Sequence, residues 1–138
     1  MTGVRVVLDS NIYVSALTFP GGSGDAAIGA LLDGRYTALI SESILGEVLG
    51  VLGRKFSRDV DELARVALFL SELTEHVDPA SRISVLDDEP DNRVLECAVS
   101  GRADMIVTGD RAMLSLGTFK DIEVVSLRAF LGRLQVEP

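Results

Sequence analysis

Val4-Arg5-Val6-Val7-Leu8-Asp9-Ser10-Asn11 decides how the rest of the chain is read. An apolar, β-branched run stops abruptly at an acid. Runs of this kind read as strands buried on both faces of a parallel sheet. The same grammar returns at Asp104-Met105-Ile106-Val107-Thr108-Gly109-Asp110. Between and beyond these runs, strand and helix patterns alternate. Residues 36–40 (YTALI) and 122–125 read as further strands, with a weaker one at 76–78 or 83–86. Helical patterns cover 10–18, 25–33, a stretch after Ser41 to about Leu52, 59–74, the stretch from DDEPDN to about Ser100, 111–116 and 126–134. Pro20-Gly21-Gly22-Ser23-Gly24 breaks the chain after the first helix. Gly34 ends the second, and Ser41 or Ser43 caps the third. Residues 53–58 (GRKFSR) read as a polar connection. This alternation predicts an α/β fold. The expected architecture is a single domain over residues 1–138, in three layers, with a central parallel β-sheet flanked by helices. Open sheets of this kind bind ligands beyond the carboxyl ends of their strands, near a topological switch point. Asp9, Ser41 and Thr108-Gly109-Asp110 all fall at such ends.

Composition narrows the class. A chain of 138 residues fits one domain with an ordinary core. Its hydrophobic content of 47% argues against disorder. No apolar run is long enough to span a bilayer, and the amino end lacks a signal-peptide layout. The single cysteine, Cys97, cannot form an internal disulfide, which suits a reducing, cytoplasmic setting. The formal net charge is −8. Nucleic acid rewards the opposite sign. Two readings stay open: the acids are concentrated at a metal site with cations placed locally, or there is no nucleic-acid partner.

Four acids are hard to explain by folding alone. Asp9 and Asp110 follow the two buried strands, and each has a plain alternative as a helix N-cap. Asn11 is placed to orient Asp9, or to close an Asx-turn. Thr108 is placed to donate to a carboxylate or a phosphate, or to satisfy a turn. Glu47 lies at the edge of an apolar helical stripe formed by Ile44, Val48 and Val51. Its alternative is a surface glutamate whose stem covers the rim of the core. Asp91 shares a helix face with Val94, Leu95 and Ala98. A capping box led by Asp88 is its alternative. That alternative leaves unexplained why an acid shares the buried face. Carboxylates about 5 Å apart repel by about 3 kcal/mol at an effective dielectric near 20. A converging set therefore holds protons or a cation. All-oxygen ligands select Mg²⁺ or Mn²⁺. With one histidine, His76, and one thiol, the usual zinc ligand sets are out of reach.

LDSNIYVSAL, SESILGEVLGVL, DDEPDNRVLECA and DMIVTGD, in that order and spacing, resemble the PIN-domain family. The chain is most similar to the PIN-domain toxins of bacterial and archaeal toxin–antitoxin pairs. The resemblance covers nearly the whole chain. It implies that Asp9, Glu47, Asp91 and Asp110 are catalytic metal ligands, with Asn11 and Thr108 in support. It implies Mg²⁺ or Mn²⁺ as cofactor and RNA as substrate, cut to leave a 5′-phosphate and a 3′-hydroxyl. It also implies an antitoxin partner and a homodimer, while the lack of a long apolar run argues against membrane association. Arg54, Lys55 and Arg58 form the one tight basic cluster, so Arg54 and Lys55 are candidates for RNA contact or simply solvated surface. Arg93, Arg102 and Arg111 are expected to flank the site. Two other classes remain in view. A haloacid-dehalogenase-like phosphatase would use Asp9 as nucleophile, but Asn11 stands where its general acid belongs, and Lys120 is its one late lysine. A non-catalytic metal-binding regulatory module needs only the acids.

Overall fold

The computed structural model describes residues 3–136. Along the chain run β1 (Arg5–Leu8), α1 (Ser10–Thr18), α2 (Ser23–Leu32), β2 (Thr37–Ile40), α3 (Glu42–Lys55), α4 (Val60–Leu73) and β3 (Glu75–His76). They are followed by α5 (Glu89–Ser100), β4 (Met105–Val107), α6 (Arg111–Leu114), β5 (Thr118–Phe119), β6 (Ile122–Val125) and α7 (Leu127–Val136). The strands form one sheet in the order β3-β2-β1-β4-β6-β5. The pairings of β1, β2, β3, β4 and β6 are parallel, as expected. The edge strand β5 is the departure: it runs antiparallel to β6 through a tight turn at Lys120 and Asp121, both at positive φ. Two residues of strand carry too little periodicity to be read from sequence.

Val6, Val7 and Leu8 of β1 are fully buried, as are Ile106 and Val107 of β4. Helices cover both faces of these central strands, which is why their sequences are continuous apolar runs. The chain moves from β1 to β2 on one side and later returns to place β4 on the other side of β1. Strand order therefore reverses between β1 and β4. The carboxyl ends of these two strands flank the resulting crevice, where ligands of open α/β sheets bind.

Element ends shift for identifiable reasons. Helix α2 starts at Ser23, two residues before expectation, because Gly24 lets its first turn lie on the backbone of α1. A Cβ there would stand 2.8 Å from the Ala16 nitrogen. Helix α3 continues through Arg54 and Lys55, cations that suit the negative end of a helix dipole. The first half of the expected connection at 53–58 is thus helix. Helix α4 buries Val66 and Leu70 but leaves Val60, its first residue, exposed. The weak strand falls at Glu75–His76. Residues 83–86 form none.

Residues 77–88 are instead clamped onto α5 by side chains. Asn92, fully buried, accepts from the Leu86 N–H at 2.9 Å and donates to the Leu86 carbonyl at 2.7 Å. Glu96 accepts from the Ile83 N–H at 2.7 Å and from Arg93 at 3.0 Å. These bonds replace the ladder that a strand would have supplied. Asn92→Ala should therefore cost about 2 kcal/mol, the order expected when partly buried backbone groups lose their partner. Thermal melts should fall by roughly 5–10 °C. A fall under 1 °C would mean the clamp is dispensable.

Candidate active site

Asp9 begins α1 at the N-cap position, yet its side chain makes no capping bond. Its carboxylate turns into the crevice instead. Oδ2 accepts from the Thr108 hydroxyl at 2.7 Å, and Oδ1 accepts from Ser10 at 3.3 Å. The Asp9 N–H donates to the Val107 carbonyl at 2.9 Å, locking the residue to the end of β4. A capping role for the Asp9 carboxylate is thus absent. Asp9 and Thr108 are both buried.

Thr108 ties two strand-end acids together. The oxygen that donates to Asp9 also accepts from the Asp110 N–H at 3.0 Å. Asp110 does cap its helix, accepting from the Met113 N–H through Oδ2 at 2.9 Å. One carboxylate oxygen satisfies that plain role and the other remains.

Asp91 sits in the first turn of α5, with only 7% of its surface exposed. Asp88 caps the helix by accepting from the Asp91 N–H at 3.2 Å. The Asp91 carboxylate does not complete a capping box. Its Oδ2 is buried and has no hydrogen-bond partner. Burial first, then the nearby charges of Asp110, Asp88 and Asp9, push its pKa up to about 7, and Asp110 lies within hydrogen-bond reach. An acid held this way near neutrality marks a functional site more often than a structural one.

The structure brings Asp9, Asp91 and Asp110 together, with Asp88 beside them. Glu47 stands slightly apart. It lines an adjoining cavity of about 280 Å³ together with Ser10, Ser43, Ile44, Pro90 and Val94. Asn11 is exposed and holds no bond to Asp9 among the described residues. Ser10 takes that place, a residue the sequence reading passed over although it adjoins Asp9. Arg54 and Lys55 lie at the far end of α3, which leaves the rim at Ser41. At 1.5 Å per residue that end is roughly 20 Å away. Arg102 precedes β4 and so lies at the opposite edge of the sheet, whereas Arg93 and Arg111 remain on the site side.

Among the described residues, no three acid, histidine or cysteine side chains already stand at metal-holding separations. Hydrogen bonds from Thr108 and Met113 hold Asp9 and Asp110 in their present orientations. The donor chemistry nevertheless fits a hard divalent cation. The orphaned Asp91 Oδ2 lacks the partner that a buried carboxylate requires, and the charged groups acting on it, Asp110, Asp88 and Asp9, are all carboxylates.

The PIN domain family matches residues 5–112, which include all of these acids. This chain belongs to the PIN domain family. PIN domains are nucleases, and this places the chain in a nuclease family. An uncharacterized Methanocaldococcus jannaschii protein, MJ1680, is 27% identical over 117 residues, spanning 82% of this chain and 75% of that protein. The fold is similar to VapBC2 from Rickettsia felis, solved bound to a DNA fragment of the promoter (TM-score 0.64, 14% identity, 89% of this chain and 98% of that one). It is also similar to Mycobacterium tuberculosis VapC20, a toxin that cleaves the sarcin–ricin loop (TM-score 0.57, 14% identity, 86% and 98%). In this PIN domain, Thr108→Val should leave Asp9 without its closest donor and the Asp110 N–H without an acceptor. The expected result is a loss of about 1–3 kcal/mol in stability. Any nuclease activity should drop about 10–100-fold, the loss typical when a group that orients a reactive carboxylate is removed. Denaturant melts paired with an activity assay check both, and a stable, fully active variant would remove Thr108 from the site.

Proposed function

We propose that this PIN domain is a metal-dependent endoribonuclease and the toxin of a toxin–antitoxin pair. The observation carrying the proposal is the buried Asp91 carboxylate, its Oδ2 without a partner, facing Asp110 and Asp9 in the crevice between β1 and β4. Asp9, Asp91 and Asp110 would hold Mg²⁺ or Mn²⁺, with Glu47 as the fourth acid from the cavity side. A bound divalent ion would polarise the scissile phosphate and lower the pKa of an attacking water. Thr108 and Ser10 keep Asp9 aimed into the crevice. No protein nucleophile serves here. Cys97 is fully buried and its thiol is pushed up to about 12 by that burial. His76 lies on the outermost strand, exposed and paired with Asp78 at 3.2 Å.

The toxin role, the RNA substrate and an antitoxin partner are supported by likeness to VapBC2 and VapC20. Exposed Phe19, Phe56, Val60 and Leu68 offer apolar surface for an antitoxin or a second copy. The phosphatase alternative loses its lysine. Lys120 precedes β6, which runs parallel to β4 and β1, so it lies at the edge opposite Asp9. Among the described residues no helix is long and apolar enough to cross a membrane. The deciding experiment incubates purified protein with RNA in Mg²⁺ or Mn²⁺, with and without EDTA. Internal cleavage that EDTA stops is expected. No cleavage of any RNA, with metal present and the fold intact, sinks the proposal.

A further inference from the structure

We propose that the cavity between α3 and α5 seats one nucleobase next to the scissile phosphate, and that it prefers guanine. The inference rests on the ribonuclease reading and specifies what the site recognises. The cavity lies beside the carboxylate crevice, lined by the sequence neighbours of two of its acids. Ser10 follows Asp9 and Pro90 precedes Asp91, and both line it. A strand whose phosphate lies at the acids therefore carries a neighbouring base to this opening. At about 280 Å³ the cavity lies at the small end of ligand pockets, about 300–1,000 Å³. That suits a single base.

The lining suits a base better than a phosphate. Ile44, Val94 and Pro90 give apolar walls, and Glu47 brings the carboxylate that is not already paired, Glu89 being bonded to Arg93. Arg93 is bonded to Glu89 at 3.1 Å and to Glu96 at 3.0 Å, so its charge is answered twice, and the one guanidinium nitrogen left over is its buried Nε. Carboxylates accept and never donate. Guanine presents an N–H and an amino group side by side, which match such acceptors. Its one carbonyl can accept from the Ser43 hydroxyl. Uracil turns two carbonyls toward the acids and is the worst match. Side-chain pairing of this kind discriminates bases by tenfold or more.

Two measurements test this. In amide NMR spectra taken in EDTA, guanosine 5′-monophosphate should perturb Ser10, Ser43, Ile44 and Val94. Uridine 5′-monophosphate should need at least tenfold higher concentration for the same shifts. Ser43 is exposed in the first turn of α3, so Ser43→Trp should fill the cavity while the melting temperature holds. It should abolish the guanosine-induced shifts. On oligonucleotides of uridine carrying one guanosine, wild type should cut beside the guanosine at least tenfold faster than elsewhere. Ser43→Trp should bring that ratio toward one. Cleavage without base preference, with equal shifts for all four nucleotides, overturns the cavity assignment and leaves the nuclease standing. Guanosine-selective shifts in a protein that cuts no RNA uphold the cavity and overturn the nuclease reading.

Discussion

Asp91→Asn is expected to lower RNA cleavage by more than about 100-fold, beyond the loss seen when a residue that merely orients a ligand is removed. In the same variant, the melting temperature without metal should rise at pH 8. Most substitutions of a buried polar residue destabilise, so the rise is the telling part. At pH 8 the Asp91 carboxylate is ionised, buried, and faced by Asp110, Asp88 and Asp9. Its Oδ2 has no partner. An amide of the same shape removes the charge and offers N–H donors to Asp110. Relief of the repulsion should be worth about 1–2 kcal/mol after screening through the open rim. Asp88→Asn gives the contrast, since Asp88 spends its carboxylate on capping α5. Asparagine caps nearly as well as aspartate, and Asp88 acts on Asp91 less than Asp110 does, so that variant should gain less stability at pH 8 than Asp91→Asn. Melts at pH 8 in EDTA, with RNA cleavage in Mn²⁺, read both effects. If Asp91→Asn melts lower and still cuts, Asp91 is a structural acid.

Much of this was legible in the sequence because the relevant signals are local. The runs ending at Leu8 and Val107 name the two central strands, and the acids one and three residues after them, Asp9 and Asp110, are two of the site. Asp91 betrayed itself by sharing a face with Val94, Leu95 and Ala98, which are all buried. Signals that depend on tertiary partners were not legible. Whether Asp9 caps α1 or faces β4 is decided by Thr108, distant in sequence, whose hydroxyl takes the carboxylate. Asn92 and Glu96 look like ordinary helix polars until the loop at 83–86 folds down on them. Asn11 had the better sequence argument than Ser10, but the first turn of α1 points it to solvent. The basic cluster at Arg54 and Lys55 drew attention by density alone. Helix length, not composition, carries it away from the site.

Divalent cation should stabilise the protein in a way that depends steeply on pH. The Asp91 carboxyl titrates at about 7 in the fold against an ordinary value of 3.8. A raised value means that the folded state holds its proton more tightly than the unfolded chain. Its contribution to stability is complete below about pH 4 and is lost as pH rises through about 7. Without metal, the melting temperature should therefore decline across that window, apart from whatever other groups contribute. A cation binds the ionised form and competes with the proton. Millimolar Mn²⁺ should shift the melt by less than 1 °C at pH 5.5 and by several degrees at pH 8, through binding to the folded state only. Asp91→Asn should flatten the metal-free decline and erase the Mn²⁺ shift together, because one carboxylate causes both. Ca²⁺, another hard oxygen-seeking ion, tests whether the stabilisation needs the smaller cation geometry of Mg²⁺ and Mn²⁺. A Mn²⁺ shift of equal size at pH 5.5 and pH 8, surviving in Asp91→Asn, would place the cation somewhere other than this crevice.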